Sequence, residues 1–199
     1  MINFLSSGQE FAEATNELHQ IFQKRVDIVD NPFLSDFTLF KGFEFDRIYG
    51  ENFYQGLIKF LVKRESKEFT FYTLLPDPVE YFFFHFSKYS IGKIPATSSR
   101  NDFWDFLNAD PGNPADCLMV NGETIVIYSN EPLWGIIGSK DLEIGIIGFK
   151  SEEIKKEFLS CFDDDVFIGI KTRLNDLDKM LELSPETKAI HAQIIEEYS

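Results

Sequence analysis

CLMVNGETIVIYSNEPLWGIIGSKDLEIGIIGFK, residues 117 to 150, decides the fold. Its short runs of Ile, Val, Tyr and Trp suit a pleated, buried surface. They are parted by Asn121-Gly122, Asn130 to Pro132 and Ser139 to Asp141, which are turn signals. Asn121 and Gly122 both accept the positive φ of a two-residue hairpin turn, so the spacing predicts four short strands in an antiparallel meander. Residues 123–129 and 142–149 carry apolar side chains on both faces, as central strands covered on both sides do. Gly135-Ile136-Ile137-Gly138 recurs as Gly145-Ile146-Ile147-Gly148, an echo that neighbouring strands explain and that is too short for a repeat array.

On the N-terminal side, Ser7 and Glu10 have capping-box spacing ahead of an apolar stripe, which predicts a helix over about 8–25. Alternation at Phe37, Leu39, Phe43 and Phe45 reads as a strand, the stripe from Glu51 to Arg64 as a second helix, and Glu68 to Leu75 as another strand. Asp77, Pro78 and Glu80 sit where an N-cap, a first-turn proline and a capping acid belong, so the Phe-rich run 78–89 reads as helix. That helix puts Phe82, Phe83, Phe86 and Tyr89 on one side and makes Phe84 a candidate exposed aromatic. Ser99 to Asp102 starts a short helix that ends by Asp110-Pro111-Gly112. Beyond the meander the expectation is a helix from Ser151, a strand Val166 to Ile170, and helices begun by Thr172 and by Ser184-Pro185. The fold class is therefore α+β: one acidic domain over 1–199, with a mainly antiparallel sheet packed with helices.

Composition narrows the classes further. No run approaches the apolar length of a membrane helix, and residues 1 to 5 lack the charged start of a secretory leader, so a cytoplasmic setting is expected. Cys117 and Cys161 are far apart, which fits free thiols in the core better than a disulfide. The net charge of −14 is uneven: residues 1–100 hold 13 acids and 11 bases, whereas 101–199 hold 20 acids and 8 bases. Such a field repels nucleic acid and anionic lipid and speeds the approach of a basic protein. The 22 Phe exceed what an ordinary core needs, so some aromatics are expected at the surface.

Signatures of chemistry are sparse. His19, His85 and His191 are isolated from one another and from cysteine, so no zinc site is indicated, and no other cofactor is. His85, in the Phe-rich run, is a histidine whose burial would favour its neutral form. Asp163-Asp164-Asp165 lacks the ligand spacing of a calcium loop and reads as a solvated turn. No phosphate loop, dinucleotide fingerprint or nucleophile elbow occurs. The candidate binding residues are Asp102, Trp104, Asp105, Asp116, Glu131, Trp134 and Asp141, because tryptophan supplies anchoring area and neighbouring carboxylates supply orientation. The competing reading places both tryptophans in the core.

These features favour a non-catalytic protein that binds a basic partner over a small-molecule-binding domain or enzyme with a pocket beside the meander. A homo-oligomer built on surplus Phe is the third reading. In size and charge, through no particular residues, the chain is similar to small acidic bacterial immunity proteins, which bind and neutralise basic toxins.

Overall fold

The computed structural model describes residues 2–198. Six strands form one sheet in the order β1-β6-β5-β4-β2-β3, with every neighbouring pair antiparallel. The strands are β1 Leu39–Glu44, β2 Glu68–Leu75, β3 Ile91–Pro95, β4 Thr124–Tyr128, β5 Trp134–Ser139 and β6 Ile144–Phe149. Helices α2 Glu51–Lys63, α3 Arg100–Leu107 and α4 Glu152–Leu159 supply apolar side chains to the core on one face. Helices α1 Gly8–Leu18, α5 Ile170–Met180 and α6 Pro185–Glu197 do so on the other. The α+β architecture expected from the sequence is thus present, and its central strands are buried on both sides.

The repeated glycines explain where the phenylalanines go. In the β5–β6 register Gly135 faces Gly148 and Gly138 faces Gly145, so each face of the sheet gains a recess two glycines wide. Phe22 and Phe33 fill the Gly135–Gly148 recess, while Phe43 and Phe45 fill the other; a Cβ at any of the four positions would run into these side chains. Fifteen of the 22 Phe are buried in this way or in the helix layers, and only Phe83 and Phe84 are exposed. At roughly 1.5–3 kcal/mol for each buried ring, the aromatic surplus is mostly core.

Four expectations need correction. Asn121-Gly122 is not a hairpin turn: Leu118–Asn121 is a single helical turn, Gly122 N–H donates to Leu118 O at 2.9 Å, and Gly122 has φ −75°. The Asn121 amide is instead drawn back to Asp116 Oδ1 at 2.8 Å, and β4 takes β2 as its neighbour, so the meander has three strands. Val166 to Ile170 supplies one bridge, Ile168 to Gly42 on the β1 edge, before α5 begins at Ile170. The first helix stops at Leu18, earlier than expected, and Phe22 then bridges to Phe33 in the cover of the glycine recess. The Phe-rich helix is present but ends three residues early: Pro78–Phe83, the π-turn, is wound as π-helix and Phe84–Phe86 as α-helix, stopped at Ser87 with φ 53°.

Candidate functional site

Residues 75–90 and 101–124 come together at one end of the sheet, where β2 finishes and β4 starts. Glu123 N–H donates to Leu75 O at 2.8 Å. Lys88 Nζ donates to Pro111 O at 2.9 Å, and the loop residue Gly112 lies against Phe86. Tyr81, on the π-turn, donates its hydroxyl to Asp116 Oδ1 at 2.6 Å, and Asp116 Oδ2 accepts from Asn113 at 2.6 Å. The Tyr81 hydroxyl titrates above its usual range because the Asp116 carboxylate accepts its proton.

This end carries carboxylates that form no ion pair, and Lys88 is the one Lys or Arg within its two segments. Asp77, Glu80, Asp102, Asp105, Asp110, Asp116 and Glu123 all lie within its two segments, and no Lys or Arg occurs at 68–87 or 101–139. None of the ion pairs among the described residues uses any of these acids. The cations that reach the area bind neutral groups within it rather than these acids: Lys88 donates to Pro111 O, Lys140 donates to Val120 O at 2.9 Å, and Arg100 lies over the Trp104 ring at 4.2 Å. At the opposite end of the sheet several acids are in ion pairs. Arg64 joins Glu131 at 3.1 Å and Glu157 at 3.4 Å, Lys93 joins Glu68 at 3.8 Å, and Lys150 joins Asp36 at 2.8 Å.

The same end carries apolar surface. Leu75, Val79, Phe83, Phe84 and Val120 are five of the eight large apolar side chains exposed on the described residues. The coincidence matters because scattered exposed apolar residues are ordinary, whereas a concentration of them marks a contact surface.

A cleft opens beside this surface, between the N-terminal segment and α3. Its volume is about 360 Å³, its floor is Phe4 and Phe106, and its rim holds Asp102, Asp105, Asp110 and Lys88. Asp102 is held in a capping box with Ser99, and those hydrogen bonds lower its carboxyl below the ordinary value. Asp110 Oδ1 accepts from Gly112 N–H at 2.7 Å. Asp105 has no such partner and is exposed. A second hollow of about 350 Å³ adjoins the β5–β6 turn, with Glu44, Asp46, Lys140 and Glu143 on its rim. Among the described residues no group of three or more His, Cys, Asp and Glu is placed to hold a metal ion.

The candidate residues named from the sequence divide accordingly. Asp102 and Asp105 share the cleft, and Trp104 lies half-buried on the same helix under Arg100. Asp116 is buried as the hub of the loop, and Asp141 sits on the β5–β6 turn. Glu131 lies at the far end, paired with Arg64, and Trp134 is core, packed edge-on against Phe60. His85 is exposed beside Tyr81 and Phe84, not buried. His191 is buried against Asp178 Oδ1 at 2.8 Å. Sequence reading passed over Val79, Phe83, Val120, Asp77 and Glu80; the signal that could have found them is the long interval without Lys or Arg.

The acids of 101–199 do not form a single patch. Helices α3 and α4 cover one face and α5 and α6 the other, so the C-terminal charge is spread over both sides. No helix of the described residues is long and apolar enough to cross a membrane. Comparison with protein-family models, with curated proteins and with solved structures gives no match.

Proposed function

We propose that the chain is a non-catalytic binding protein whose partner is a basic protein, received at the end of the sheet formed by residues 75–90 and 101–124. One observation carries the reading: seven carboxylates without ion-pair partners and five of the eight exposed large apolar side chains occupy the same end. Unpaired charge there costs the fold self-repulsion, which a cationic surface would relieve on docking. The most specific form of the reading is an inhibitor that neutralises a basic toxin, as the small acidic immunity proteins do.

Immobilised chain exposed to lysate of its source cell is expected to retain a basic protein at low ionic strength and release it as salt rises, since surface attraction is screened over about 8–10 Å. Recovery of no basic protein at either ionic strength overturns the reading.

A second reading rests on the cleft, whose volume falls within the range of small-ligand sites. Aromatic floor and unpartnered Asp105 suit a small organic cation with an apolar body. Tyramine and agmatine are direct probes; no shift in melting temperature with either at millimolar concentration removes this alternative.

A further inference from the structure

The π-turn presents its apolar side chains in a way an α-helix of the same sequence would not. Phe82 N–H donates to Asp77 O at 3.1 Å, the i to i+5 bond that defines the wider turn. At 100° per residue, an α-helix would swing a residue five places on well away from its starting side. Phe84 N–H donates to Val79 O, another i to i+5 bond, so Val79 and Phe84 stand one wide turn apart; Val79, Phe83 and Phe84 are all exposed, Phe84 to 79%.

The ledge is held before any partner arrives. Asp77 Oδ1 accepts from Val79 N–H at 2.7 Å and Glu80 N–H at 2.6 Å, fixing the start of the turn. The Phe83 ring stacks on Tyr89 at 4.6 Å, and Tyr89 stacks on Phe11 at 4.3 Å, fixing its middle. Tyr81 on Asp116 ties it to the loop behind. A rigid aromatic side chain loses little freedom on binding, which is what makes such residues the anchors of interfaces.

We propose that Phe84, flanked by Val79 and Phe83, is the apolar anchor by which this chain enters a socket on a basic protein, the socket being rimmed by Lys or Arg that meet Asp77 and Glu80. The inference rests on the partner-binding reading and adds to it the anchor and the shape of what receives it. Charge complementarity selects the occupant. A second copy of this chain would bring Asp77 and Glu80 against their own like charges, and an anionic membrane would be repelled by them as well.

The test places a photoreactive benzoyl-phenylalanine at position 84, and separately at Val62, an exposed apolar residue on α2 away from the ledge. Irradiation in lysate is expected to yield an adduct at position 84 only, on a basic protein and within a peptide containing Lys or Arg. In parallel, Phe84→Ser is expected to weaken capture of that protein at least tenfold with an unchanged melting temperature, while Val62→Ser leaves capture as it was. Capture of a basic protein that is indifferent to Phe84→Ser and gives no adduct at 84 overturns this inference and leaves the broader reading standing. Adducts to a second copy of the chain alone, or to lipid alone, also overturn it. Absence of any salt-sensitive basic partner overturns both.

Discussion

The Tyr81 hydroxyl meets the buried Asp116 carboxylate at 2.6 Å, across 35 positions of sequence, and so locks the π-turn to the loop that leads into β4. Asp116 gathers three donors in all, from Tyr81, Asn113 and Asn121. One carboxylate therefore shapes both halves of the candidate surface, and it is the reason that Asn121 is a helical residue and not the corner of a hairpin.

Asp116→Ala leaves those donors facing a void in a site only 7% exposed, and should cost about 2–3 kcal/mol of unfolding free energy. Urea denaturation measures this. Amide exchange over 78–86 should quicken in the same variant and in Tyr81→Phe, because the turn loses its tether. Wild-type stability and exchange in Asp116→Ala would show that the hub is dispensable.

Much of the fold is legible in sequence because its signals are local. Ser99 with Asp102, Ser151, and Ser184-Pro185 start helices where their capping chemistry says they should, α2 follows its apolar period, and β2 follows its content of Phe, Thr and Tyr. What was illegible depends on distant partners. β3 carries Gly92 and Pro95, poor strand residues, yet Gly92 is needed because the Phe106 ring of α3 lies against it. Asn121-Gly122 has ideal turn chemistry that a buried carboxylate five residues earlier overrides. The candidate site was half legible: Asp102 and Asp105 share a helix face, but the exposure of Phe83 follows from a π-turn that no period in the sequence announces.

The paired glycines give a second prediction. An alanine at Gly145 would press its Cβ into the Phe43 ring, and one at Gly148 would meet Phe33 at 2.7 Å, both inside fully packed core. Each substitution should cost about 1–3 kcal/mol through overpacking. Gly8→Ala is the control, since its Cβ would approach nothing closer than the Tyr89 hydroxyl at 3.9 Å, and its midpoint in urea should stay within error. Equal effects at Gly145 and Gly8 would remove the steric account of the repeated motif.

Alkaline pH should unfold the chain through its tyrosines. Burial pushes the Tyr54 hydroxyl up to about 12 from 10.0, helped by nearby Asp102, and its O–H donates to Ser98 O at 2.8 Å. Burial raises Tyr49, Tyr128 and Tyr198 as well. A group whose folded pKa is raised stabilises the fold fully below its unfolded value and loses that contribution as pH climbs towards the folded value. Stability from Tyr54 is therefore complete below pH 10.0 and fades between there and about 12. Tyrosinate absorbance and loss of near-ultraviolet dichroism should rise together in that window. Titration of every tyrosine near 10 with the dichroism intact would contradict the burial.

The two ends of the sheet should respond oppositely to neutralised carboxylates. Glu131→Gln breaks a pair with Arg64, whose guanidinium is pushed above its ordinary value chiefly by its hydrogen bond to Glu131, and a partly exposed pair of this kind is worth about 0.5 kcal/mol after screening. Its loss should lower the melting temperature slightly. Asp105→Asn combined with Glu123→Gln removes two charges that no cation balances, so stability should hold or rise, most visibly at low salt. The same double variant should weaken capture of a basic partner and flatten its salt dependence, whereas Glu131→Gln should leave both unchanged. Carboxylates whose removal helps the fold and harms binding are retained for the binding. If the double variant instead destabilises the chain as much as Glu131→Gln does, those acids serve the fold, and the case for this end as a docking surface loses its electrostatic half.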